Sequence, residues 1–375
     1  MSSIDITPVL NFMVEKNGSD LFLSTGTVIH IEIEGKTYPV NNQIMQPGMV
    51  KEIAYELMSQ EQIKEFEANM EMNFAFGERG IGRFRINVFR QRGEVAMVIR
   101  HIKSEIPSFK DLGLPEIMKD LIMRPRGLIL VVGSTGSGKS TSLAAMIDHR
   151  NETSTGHIMM IEDPIEYIHH HKKSVVDQRE VGIDTLSYEN ALKNAMRQAP
   201  DVVLIGEIRD AETMKQAIAY SETGHLCLAT LHANNANQAI ERILSFFPPE
   251  AKNGVLLGLS LNIVAIVSQR LVPGIEKKRV AAIEVLINSP YIAELVKKSK
   301  IEEIKEVMAN NTDIGMCTFD QSLFNLYKEG KITEDNAMAN ADSRNDLSLK
   351  IRFDIEGEKE TDKDAEKQFT GFKRF

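Results

Sequence analysis

Leu128-Ile-Leu-Val-Val-Gly133-Ser-Thr-Gly-Ser-Gly138-Lys139-Ser140-Thr141 is the stretch that decides how this chain folds. Leu128–Val132 is short and wholly apolar, the pattern of a strand buried on both faces of a helix-covered sheet. The next eight residues fit G-x-x-x-x-G-K-[ST], and a helical pattern follows over Ser140–Arg150. Glycines let successive backbone N–H groups curl around an anion without Cβ clashes. The helix that begins there adds its positive end. Lys139 supplies a mobile cation for terminal phosphates, and Ser140 a hydroxyl for Mg²⁺. The expected nucleotide-binding residues are therefore Gly133, Ser134, Thr135, Gly136, Ser137, Gly138, Lys139, Ser140 and Thr141, with ATP and Mg²⁺ as ligand.

Outward from this loop the same strand type recurs at Ile158–Ile161, Val202–Ile205 and Leu226–Leu231, with helical patterns at Tyr188–Gln198 and Asp210–Thr223 between them. Alternating strand and helix predicts a parallel α/β sheet with right-handed crossovers. Ligands of such sheets bind beyond the carboxyl ends of the strands. Glu207 follows the strand Val202–Ile205 and is a candidate Mg²⁺ ligand through water, beside Ser140. Glu162 and Glu166 follow Ile158–Ile161, where a carboxylate can orient or deprotonate an attacking water. His225 and His232 bracket Leu226–Leu231 and are both candidates; His232 sits at the strand's end, beside the expected phosphate site, where a neutral imidazole can sense a phosphate or hold a carboxylate. His169, His170 and His171 are consecutive, so they point apart and make a poor metal site; they read as a polar surface stretch.

The N-terminal region has a different character. Thr7 caps a helix with Pro8 at its first position and Gly18 as its stop. Asp20–Ser24 and Val28–Ile33 read as strands, Ser59 and Gln62 as a capping box. Arg83–Arg90 alternates polar and apolar residues, the period of a half-buried strand. Residues 1–103 thus form a small α+β domain and 104–115 a linker. Residues 116–350 form the α/β domain, mostly helical after Asn253 apart from a strand near Val280–Ile287. Residues 351–375 are dense in Lys, Glu and Asp and read as a disordered tail.

The chain has 375 residues and a formal net charge of −9, which weighs against a nucleic-acid partner. Its two cysteines, Cys227 and Cys317, form no CxxC pair, so a reducing compartment is the natural reading. No signal-peptide pattern and no long apolar span is visible.

These boxes, in this order, resemble the type IV pilus retraction ATPases, PilT and PilU, within the secretion ATPase superfamily. The resemblance runs from Asp5 to about Lys350. It rests on Gly133–Thr141 as Walker A, Glu162–Tyr167 as the Asp box, Gln178–Gly182, Gly206–Asp210 as Walker B and Gly224–Asn235 as the His box. Ser19-Asp-Leu-Phe22 departs from the Ser-Asp-Leu-His of PilT, and Tyr291–Val296 lacks an arginine found there. Phe319-Asp-Gln-Ser-Leu323 and the charged tail are closer to PilU. The resemblance implies a RecA-like P-loop core with a PAS-like N-terminal domain, a homo-hexameric ring, and ATP between the two domains. It implies Glu166 as catalytic base, Glu207 assisting Mg²⁺, and phosphate contacts from among Arg83, Arg85, Arg90 and Arg92. It further implies a cytoplasmic location peripheral to the inner membrane, a PilT-like ATPase and an inner-membrane platform protein as partners, and pilus retraction as the work done. Competing readings are an adaptor that needs no hydrolysis of its own, a pilus assembly or type II secretion ATPase, and a nucleic-acid motor.

Overall fold

A computed structural model describes residues 5–276 and 278–354. The chain divides into two compact units: one runs up to Ile106 and includes Ile165–His169, the other comprises Pro107–Pro164 and the chain from His170 on.

The first unit is built on six antiparallel strands: β1 Asp20–Leu23, β2 His30–Ile33, β3 Lys36–Pro39, β4 Glu71–Glu78, β5 Gly82–Gln91 and β6 Glu94–Ile102, in the order β3-β2-β1-β6-β5-β4. The alternation in β5 places Phe84, Ile86 and Val88 in the core. Helices Thr7–Glu15, Met49–Leu57 and Gln60–Asn69 supply Leu10, Ile53 and Phe66 to the same core. The Ser59–Gln62 capping box is present. Thr7, however, is inside its helix rather than capping it: the Asp5 carboxylate accepts the Thr7 N–H at 2.9 Å.

The second unit carries a seven-stranded sheet in the order β13-β12-β7-β11-β10-β8-β9. Its strands are β7 Gly127–Val132, β8 Gly156–Glu162, β9 Ser174–Glu180, β10 Val202–Ile205, β11 Leu226–Leu231, β12 Ile263–Pro273 and β13 Arg279–Ile287. Neighbouring strands are parallel throughout except for the β12–β13 hairpin. β7, β10 and β11 are buried along their whole length, as helix cover on both faces requires. This is the RecA-like α/β core.

Several sequence expectations need correction. The region after Asn253 is mostly helical but holds a strand besides the one near Val280–Ile287: Ile263–Pro273, the longest of the second sheet; its apolar run continues from helix Lys252–Asn262 without a Gly or Pro to mark the change. The stretch 104–115 holds a short helix, Phe109–Leu112, closed by a capping box between Ser108 and Asp111. His169 is buried rather than on the surface. Residues 344–354 are helical, so the expected tail does not begin at 351: Leu347 and Ile351, four residues apart on one face, are each 1% exposed. Residues 355–375 lie outside the described residues.

That last helix packs with Phe319, Leu323 and Phe324 in a small core against β12 and β13. Phe319 is fully buried, and the Arg270 guanidinium lies 3.8 Å from its ring centroid. Removing such a ring leaves a cavity and an unstacked cation. Phe319→Ala should therefore lower stability by about 3–5 kcal/mol, read as a shift in the denaturant midpoint at unchanged m-value.

Candidate nucleotide site

The parallel register brings four strand ends to one edge. Val132 pairs with Leu231, and Ile205 with both Ala229 and Ile161. Gly133, His232, Glu162 and Glu207 each follow directly or closely on those residues, so they emerge side by side. Their sequence separations run to about a hundred residues.

The loop Gly133–Gly138 turns from β7 into helix Lys139–Thr153. Gly136 and Gly138 have φ of 73° and 87°, a region that excludes most side chains. A Cβ on Gly133 would lie 2.5 Å from the Gln269 carbonyl oxygen. Gln269, in β12, braces the loop: its amide nitrogen donates to the Ser137 carbonyl at 2.8 Å, and its amide oxygen accepts from Ser142 at 2.7 Å. The loop is thus held curled by a residue more than a hundred positions away.

Lys139 Nζ donates to the Gly133 and Ser134 carbonyls at 2.8 and 2.9 Å. Burial lowers its pKa, and the Glu207 charge opposes that shift in part. Inside the loop, the buried Ser137 hydroxyl has no hydrogen-bond partner among the described residues. A curl of backbone amides around a half-desolvated ammonium is a cradle for an anion. The Ser140 hydroxyl and the Glu207 carboxylate are oxygen donors of the kind that suits a hard cation such as Mg²⁺.

Glu207 is gripped from two sides. His232 Nε2 lies 3.0 Å from Oε1, and Arg209 Nη2 lies 2.7 Å from Oε2. Arg209 also reaches Asp163 at 3.4 Å. Buried Glu162 accepts from Gln178 at 3.1 Å. An open cleft of about 490 Å³, with Ser134, His232, Asn234 and Arg242 in its wall, adjoins the loop.

Three comparisons decide the family. A family profile described as type II/IV secretion system protein matches residues 3–326. This chain belongs to that family. Within the family it groups with the PilT and PilU proteins. It is 52% identical over 95% of its length, and 93% of theirs, to the type IV pilus ATPase PilU of Pseudomonas aeruginosa. The identity to the same organism's PilT, named a type IV pilus retraction ATPase, is 40% over 90% of this chain and 98% of that one. A crystal structure titled as the pilus retraction motor PilT with bound ADP superposes with a TM-score of 0.86 at 42% identity, covering 92% of this chain and 99% of the other.

One sequence candidate of this family member, His225, does not join the constellation. His225 precedes β11, and its carbonyl accepts from Gly127 N–H at the opposite edge of the sheet. A six-residue strand separates it from His232, roughly 20 Å. His225 instead bonds Thr223 at 3.1 Å and packs edge-on against Tyr220. Glu166 is exposed and belongs, with Ile165–His169, to the N-terminal unit.

The four arginine candidates also lie in that unit. Arg83 and Arg92 stand at opposite ends of β5, roughly 30 Å apart at strand rise. Arg90 is committed locally, paired with Glu67 at 2.5 Å and stacked over Phe66. Arg83 and Arg85 line the face of β5 opposite Phe84 and Ile86. Arg100 is a cation the sequence reading passed over. Its hydrogen bond to Asp20, and less strongly the Glu166 charge, raise its pKa. Arg209, Gln178 and Gln269 were missed as well. Arg209 and Gln178 sit inside quoted motifs; Gln269 gives only the signal of a polar side chain within an apolar strand.

Among the described residues no helix is long and apolar enough to cross a membrane, and no cluster of three or more metal-ligating side chains occurs.

Proposed function

We propose that this chain is an ATP-hydrolysing motor subunit that powers or assists retraction of type IV pili, as a PilU-like accessory to a PilT-like ATPase. The observation that carries the reading is the braced Gly133–Gly138 loop with Lys139 turned into it, beside the Glu207–His232 pair. Backbone amides and Lys139 bind the phosphates, and the loop's glycines allow the close approach. Ser140 and Glu207 would hold Mg²⁺, which would supply charge neutralisation at the phosphates. His232 and Arg209 fix the Glu207 carboxylate. Following the family resemblance, Glu166 takes the proton of the attacking water as its oxygen bonds to the γ-phosphorus and the bond to ADP breaks. A ring of six copies acting on an inner-membrane platform protein is the assembly this reading implies.

A second reading, an adaptor whose own hydrolysis is dispensable, is favoured by the similarity to PilU beside a separate PilT in one organism. Retraction imaging in a deletion strain complemented with Glu166→Gln separates the two. The motor reading expects retraction to fail with the variant as it does without the protein. Full rescue by Glu166→Gln would assign the adaptor role.

A further inference from the structure

Tyr188 opens the helix Tyr188–Ala195, where the Ser187 hydroxyl accepts the Asn190 N–H at 3.1 Å. Its ring packs against the main core of the α/β unit. Its hydroxyl is buried, yet bonds no group among the described residues. The contrast with Tyr220 is direct: that hydroxyl, equally enclosed, donates to the Leu192 carbonyl. A buried hydroxyl without a partner is costly, and phenylalanine would fill the same space without that cost.

The place of this oxygen is informative. A Cβ on Gly206 would come within 2.8 Å of Tyr188 Oη and 3.1 Å of Glu162 Cα. The hydroxyl therefore sits in the gap where β8 and β10 end, above the one residue of that turn with no side chain. Glu162 ends β8, Asp163 follows it, and Glu207 stands next to Gly206. Burial raises the Tyr188 pKa, and the Asp163, Glu162 and Glu207 charges raise it further while Arg209 opposes. The phenol stays a neutral O–H, facing groups that accept hydrogen bonds. Glu162 is bonded by Gln178, and Glu207 by Arg209 and His232. A neutral donor set among carboxylates, with its own bond unmade inside the chain, is suited to a small polar molecule that bonds both.

We propose that Tyr188 is a positioning residue for ATP hydrolysis, its hydroxyl donating to a water molecule shared with Glu162 and Glu207 and so ordering the water of the hydrolytic site. The proposal rests on the ATPase reading given above. No bond is made or broken at Tyr188 itself. Its proton is donated in a hydrogen bond and retained.

Tyr188→Phe removes only the oxygen. Phosphate release and Mg–ATP binding are measured on the full-length protein, with the melting temperature alongside. The proposal expects kcat to fall about ten-fold or more, the KM and the Kd for Mg–ATP to stay within about two-fold, and the melting temperature to hold or rise. A packing role predicts no such split. Unchanged kcat overturns the proposal, and so does a fall in kcat accompanied by a matching loss of melting temperature or of nucleotide affinity. Failure of the wild-type protein to bind Mg–ATP would instead overturn the ATPase reading, and that outcome is visible before any variant is compared.

Discussion

Lys139→Ala should reduce ATP turnover by at least about 10³-fold, the scale set by loss of a preorganised positive donor at a transferring phosphoryl group. Among the described residues the lysine forms no ion pair: its ammonium rests on the Gly133 and Ser134 carbonyls, half desolvated, with its pKa lowered by burial. Neutral carbonyls compensate a buried cation poorly. Phosphate oxygens compensate it well, and best where negative charge accumulates as the γ-phosphoryl group transfers. The lysine's contribution is therefore larger in the transition state than in the free protein, which is the condition for raising kcat. The fold should survive, since Lys139 opens the helix Lys139–Thr153 and alanine is the stronger helix former. Phosphate release by a variant with wild-type melting temperature is the measurement. Activity within ten-fold of wild type would remove the phosphate loop from the mechanism.

Much of this site was legible in the sequence because its parts emerge from fully buried strands. Val202–Ile205 is apolar at every position and Leu226–Leu231 at every position but Thr230, as burial on both faces requires. The ends of such strands are fixed by composition, so Glu207, His232 and Glu162 could be assigned to one edge before any register was known. Edge strand β9 was not readable for the complementary reason. Its Val175 is exposed and five of the seven residues Ser174–Glu180 are polar, so neither a two-residue period nor an apolar run marks it.

What escaped depends on long-range register. Gln269 braces the loop across more than a hundred residues, and nothing near it in sequence points to Ser137. His225 and His232 bracket one strand, and the chain direction of β11 puts only His232 at the edge that carries the loop. Arg90 and Arg83 looked alike on an alternating strand. The docking of helix Gln60–Asn69, which brings Glu67 and Phe66 to Arg90, distinguishes them.

Glu207→Gln is the second large effect, and magnitudes show why it would report chemistry rather than folding. The carboxylate accepts from Arg209 at 2.7 Å and pairs with His232 at 3.0 Å. Arg209 is 56% and His232 46% exposed, so these pairs contribute under about 1 kcal/mol to stability. Glutamine preserves the shape, and Arg209 keeps Asp163 within 3.4 Å. The melting temperature should thus move by no more than a few degrees. Turnover should fall by about 10²–10³-fold, because a neutral amide neither holds a hard cation's water shell nor balances Lys139 at the phosphates. Binding of Mg–ATP should persist through the loop amides and Lys139, so the loss should lie in kcat. A variant whose kcat matches wild type would show that Glu207 serves only to anchor Arg209 and His232. The hydrolytic centre would then have to be sought among Glu162 and the acidic residues after β8.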